Sequence, residues 1–181
     1  MKRLILLALI LCVSVSALFA VNNFLTVSAS PYASQSYSSS LETKYTSDYG
    51  FGFKAGYRYF AGSFLLGADV SYQNYRYTVN GNQVKVGGVQ ILAKVGGKLI
   101  VTNGIDLNAD FGVGMNIAIS RLSTNCNPML GANASLSFHV AGNVAITVGA
   151  DVYVEWAKAR DSEFKSVQWS IVPSLGVEIE L

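Results

Sequence analysis

The sequence predicts an all-β fold, an eight-stranded antiparallel up-and-down transmembrane β-barrel. Three observations predict it. From Phe24 to the end, apolar residues alternate singly with polar ones, the period-two mark of strands with two unlike faces. Hydrophobic residues make up 51% of the chain and charged residues 13%. Yet beyond the N-terminus no apolar run approaches the roughly 18–20 residues that a helical span needs. Finally, short Gly- or Asn-containing turns alternate with connections that are mostly longer and more polar, as in barrels with tight turns at one end and loops at the other.

The N-terminal stretch reads as a targeting segment. Lys2 and Arg3 form a basic start, Leu4 to Val15 an apolar core, and Ala17 and Ala20 a small-residue cleavage region. This predicts a secretory signal peptide over residues 1–20, cut after Ala20, and one barrel domain over 21–181. Cys12 follows the bulky Leu11 inside the apolar core, which argues against a lipoprotein site.

Eight strands follow. The first covers about Phe24 to Ser34, with Leu25, Val27, Ala29 and Ala33 on the apolar face. The second, Tyr49 to Phe60, sets Phe51, Phe53, Ala55, Tyr57 and Tyr59 against Gly52, Lys54, Gly56 and Arg58. The third, Ser63 to Thr78, sets Phe64, Leu66, Ala68, Val70 and Tyr72 against Gly67, Asp69, Ser71 and Gln73. In the fourth, Val84 to Ile100, Val89, Ile91, Val95 and Leu99 oppose Gln90, Lys94, Gly96 and Lys98. The fifth, Ile105 to Ser120, is the clearest: Ile105, Leu107, Phe111, Val113 and Met115 alternate with Asp106, Asn108, Asp110, Gly112 and Gly114. The last three cover Met129 to Val140, Val144 to Ala157 and Ser166 to Leu181. A helix, with period 3.6, would mix these sets. Tight turns fall at Ala61-Gly62, Thr102-Asn103-Gly104 and Ala141-Gly142-Asn143, where Gly or Asn takes positive φ. The other connections are Gln35–Asp48, Val79–Gln83, Arg121–Asn127 and Lys158–Lys165. Pro31 and Pro173 fall in the first and last strands, so a bulge or weak seam is expected where the barrel closes.

Alternation alone does not say which face is inside. The polar face is rich in glycine and charge, which suits a cramped lumen. Tyr57, Tyr59, Phe64, Tyr72, Trp156 and Trp169 sit on the apolar face, mostly near strand ends, like interfacial girdles. The strands also exceed the roughly 9–11 residues that a tilted span needs. The apolar face is therefore expected outward.

That places Lys54, Arg58, Asp69, Lys94, Lys98, Asp106, Asp110, Asp151 and Glu155 in the lumen, with His139, Glu178 and Glu180. A turn at Ala61-Gly62 would put Lys54 opposite Asp69. The next turn would put Lys98 near Asp106 and Lys94 near Asp110. Buried charges must be paired, so the set reads either as a salt-bridged plug or as a narrow conduit whose pairs exchange. Without Lys2 and Arg3, eleven basic residues balance eleven acidic ones, which indicates no basic face for nucleic acid. Of the two cysteines only Cys126 remains, read as a loop residue without chemistry. No metal or cofactor spacing, phosphate loop or nucleophile elbow appears. His139, the only histidine, is followed by Ala141 where a His-x-Ser pair would need serine. A non-enzymatic role is expected.

The terminal run Ser174-Leu175-Gly176-Val177-Glu178-Ile179-Glu180-Leu181 resembles the last-strand signal of outer-membrane barrels, which usually closes on an aromatic residue where this chain has Leu181. With the strand plan, the chain resembles the small OmpA/OmpX-like outer-membrane barrels. The resemblance implies surface exposure and insertion by the barrel assembly machinery, but no particular activity. Contact with outer-membrane lipid and a monomeric state are expected. Any partner outside the cell would meet the external loops.

Overall fold

The computed structural model describes residues 21–39, 44–79, 81–102, 104–119, 124–158 and 165–181. The expected signal peptide, and parts of the connections around 40–43, 120–123 and 159–164, lie outside the described residues. Ten strands are present: β1 (Val21–Ser30), β2 (Ser34–Ser39), β3 (Lys44–Thr46), β4 (Tyr49–Ala61), β5 (Phe64–Val79), β6 (Asn82–Thr102), β7 (Ile105–Ile119), β8 (Thr124–Ala141), β9 (Val144–Lys158) and β10 (Lys165–Glu180). They form one antiparallel sheet that closes on itself through β1 and β10. β1 with β2, and β3 with β4, each make one stave of an eight-stave barrel. Closure leaves no open edge within the spanning wall, as backbone polar groups in hydrocarbon require.

The wall is inside-out. Along β7, Asp106 and Asp110 are 6% and 5% exposed, whereas Phe111 and Val113 are 56% and 58% exposed. The same alternation runs along β4. Outward apolar side chains come from every long stave, among them Val27, Phe53, Val70, Ile91, Val148 and Ile171.

The closing seam has two parts. Phe24 to Ala29 pair with Glu180 to Leu175, and Ser34 to Ser39 pair with Ile171 to Ser166. Between them the ladder is interrupted, and both Pro31 and Pro173 stand in the gap. The register advances by one residue across it, so one extra residue lies on the β1–β2 side. This is a bulge, and it reverses the phase of the stave. Inward positions are even in β1 (Phe24, Thr26, Ser28) and odd beyond it (Ala33, Gln35). Ala33, expected on the outer face, is therefore fully buried. The Ala33 amide donates to the Gly50 carbonyl at 2.7 Å, tying the bulge to β4.

Three expected loops prove shorter. Much of Gln35–Asp48 is strand, because β2 and β3 pair as a hairpin extension with Ser36 opposite Thr46. Val79–Gln83 reduces to a hairpin turn with Gly81 at φ 78°. Arg121–Asn127 gives way to β8 at Thr124, so Cys126 is an exposed strand residue. In each case polar residues that resemble loop composition satisfy their backbone groups in a ladder instead.

Candidate functional site

The lumen gathers the ionisable residues, and its register comes from the turns. The β4–β5 turn is Gly62-Ser63, with Gly62 at φ 61° and Ala61 paired to Phe64. This is one residue later than expected, so the ladder is displaced by two. Lys54 faces Ser71, and Asp69 faces Gly56. Lys54 therefore reaches Asp69 only at 3.9 Å, and its close partner is Asp151 of β9, at 2.6 Å. In the β6–β7 pair, Lys94 faces Gly112 and Lys98 faces Asn108. The diagonal contacts survive: Lys94 lies 2.8 Å from Asp110, and Lys98 3.4 Å from Asp106.

Lys94 is the hub. Its ammonium also lies 2.6 Å from Asp69 and 3.7 Å from Asp151. One cation thus binds carboxylates from three staves that are not neighbours in sequence. Asp151 takes a further bond from the Asn133 amide at 3.0 Å. Towards the short-turn end, Arg58 donates to Glu178 at 2.9 Å and lies 3.9 Å from Asp110. Asp106 meets the His139 ring at 2.9 Å. Glycine makes room for these groups. A Cβ at Gly56 would collide with the Asp69 carboxylate and come within 2.7 Å of Thr26 Oγ1.

Glu155 stands apart. It is buried, and among the described residues it has no cationic partner. The Asn116 and Asn127 amides donate to its two oxygens, at 2.7 and 2.5 Å. Asn127, expected in a loop, lies on β8. Carrying the alternation back through Asn125-Cys126-Asn127 would have turned it inward.

The lumen is not filled by polar groups alone, which corrects the expectation. Phe24, Phe60 and Leu65 form an apolar layer near the short-turn end. The two phenyl rings pack edge to face, and the Lys98 ammonium lies 4.8 Å from the Phe60 centroid. Towards the other end, Ala33, Tyr75, Tyr77, Leu92, Met129, Tyr153 and Val172 form a second layer. Large side chains sit against glycines here: a Cβ at Gly131 would come within 2.8 Å of Leu92 and 3.0 Å of Tyr153. Small and large residues so combined fill a narrow barrel. The ion network lies between the two layers.

The six expected girdle aromatics face outward. Tyr57, Phe64, Tyr72, Trp156 and Trp169 are exposed, and Tyr59 is half-buried. Tyr57 donates to Asn23 Oδ1 at 2.5 Å. Tyr49, Phe51 and Phe53 join Tyr72 in one outward aromatic patch.

No family model matches the chain, and no curated protein matches it in sequence. Solved structures do match. Neisserial surface protein A (NspA) aligns with a TM-score of 0.60 and 18% identity, over 90% of this chain and 99% of that one. The outer membrane protein OprG from Pseudomonas aeruginosa aligns at 0.53 and 10%, over 89% and 97%. The outer membrane protease OmpT from Escherichia coli aligns at 0.52 and 7%, over 92% and 100%. The chain has the fold of the small outer-membrane β-barrels. Because a protease is among the similar structures, the fold by itself is compatible with catalysis.

Proposed function

We propose that this chain is an outer-membrane barrel with a structural or surface-interaction role, non-enzymatic, held in lipid by its outer wall and stoppered by its own side chains. The observation that carries this reading is the layered interior: an apolar layer, an ion-paired layer and a second apolar layer in series. Water and ions passing through would have to part Lys94 from three carboxylates and displace Tyr75, Leu92 and Tyr153. The outward apolar wall supports residence in lipid, reached through the barrel assembly machinery. The rims, including the β2–β3 extension, would carry any contact with another molecule.

Two measurements test the proposal. Heat-modifiable gel mobility in isolated outer membranes reads barrel and location together, and a folded band absent from that fraction counts against both. Planar-bilayer recording of the purified protein should show no steady conductance. The rival reading is a narrow channel for ions or small solutes. A steady current altered by Lys54→Ala or Asp69→Ala would replace the plug with that conduit.

A further inference from the structure

The β5–β6 ladder places Arg76 directly opposite Lys85, near the rim that holds the longer connections. Both side chains are exposed, and neither has an ion-pair partner among the described residues. Like charges directly opposed across a ladder are unfavourable unless an anion lies between them. Both positions belong to the outward phase of their strands, the phase of Tyr72 on β5 and Ile91 on β6. A basic residue in the lipid-facing phase is out of place unless it stands above the hydrocarbon.

From Phe64, beside the opposite turn, to Arg76 the strand runs about 40 Å at about 3.3 Å per residue. A tilt of about 40° leaves about 30 Å along the barrel axis, just past an apolar band about 25 Å tall. Tyr49 is the β4 partner of Arg76, and Phe51, Phe53 and Tyr72 lie below it in the same patch. The pair thus stands one step above an aromatic girdle, level with lipid headgroups. Asp48 immediately precedes β4, and its amide donates to the Arg76 carbonyl. Asp48 is engaged by Thr78 Oγ1 at 2.6 Å. Half-way round the barrel, the register sets Lys158 against Lys165 at the same rim.

We propose that Arg76 and Lys85 form a clamp for the phosphate of an outer-leaflet lipid headgroup. The inference rests on the membrane reading above. Guanidinium and ammonium on adjacent staves offer a planar fork and a point charge to one tetrahedral anion. The aromatic patch beneath would receive the acyl chains of the same lipid.

The test uses the full barrel in phosphatidylcholine vesicles, wild type against Arg76→Gln/Lys85→Gln. Vesicles carry either a bis-phosphorylated acylated disaccharide lipid or its dephosphorylated form. The readout is lipid retained on the protein by native mass spectrometry, with the heat-modifiability midpoint alongside. Wild type should retain the phosphorylated lipid, with roughly tenfold weaker retention in the double variant. In a phosphate-free alkyl maltoside detergent the double variant should match or exceed the wild-type midpoint, because the like-charge rung is gone. Equal retention by both proteins, or equal retention of the dephosphorylated lipid, overturns the clamp. So does inorganic phosphate alone raising the wild-type midpoint as far as the phosphorylated lipid raises it. If neither protein shows heat-modifiable mobility, the barrel reading itself fails, which is a distinct result.

Discussion

The centre of the lumen and the Glu155 niche both bury carboxylates, and they do so by opposite means. At the centre, Asp69, Asp110 and Asp151 share Lys94, with Lys54 adding a second cation. In the niche, Glu155 receives two neutral amides and no cation among the described residues. Removing one member of an ion network leaves uncompensated charge in a low-dielectric space. Removing a neutral donor costs only a hydrogen bond and some desolvation. The centre should therefore be brittle and the niche forgiving.

Substitutions sharpen or break this contrast, and each is read by urea unfolding of the folded band in vesicles. Lys94→Met strips three carboxylates of their common cation and should cost about 4 kcal/mol, the largest effect. If it unfolds with wild-type midpoint, the network is not holding the barrel. Asp151→Asn leaves Lys54 with only its 3.9 Å contact to Asp69, and about 3 kcal/mol should be lost. Asn127→Ala removes one donor from Glu155 and should cost about 1–2 kcal/mol. Glu155→Gln should lie within about 1 kcal/mol of wild type, since asparagine amides can turn to present either atom. A loss from Glu155→Gln as large as that from Lys94→Met would erase the distinction between the two regions.

The strand plan was legible because alternation in β4, β5 and β7 is nearly unbroken. Inside and outside could be told apart from the glycine and charge of one face and the aromatics of the other. Register was less legible. Ala61-Gly62 and Gly62-Ser63 are both plausible two-residue turns, and moving between them shifts every β4–β5 partner by two. The charges still met, because Lys and Asp side chains span diagonals that a ladder position alone does not reveal. The apolar layers were missed for a different reason. Leu92, Tyr153 and Val172 fall in the inward phase, but an assumption of a polar lumen hid them. Arg76 was missed the same way, as a basic residue in an outward run otherwise read for its aromatics. The phase reversal at Pro31–Ala33 left only its prolines as a trace.

That reversal divides the closing joint into two independently aligned segments. The lower, from Phe24 to Ala29, closes the half of the wall nearer the short turns; the upper, from Ser34 to Ser39, runs from the level of Ile171 past Trp169 towards the rim. Changes in length beyond the slack residues between them would slide the upper segment without disturbing the lower. The rim end of the seam can thereby take a new alignment while the half nearer the short turns keeps its own.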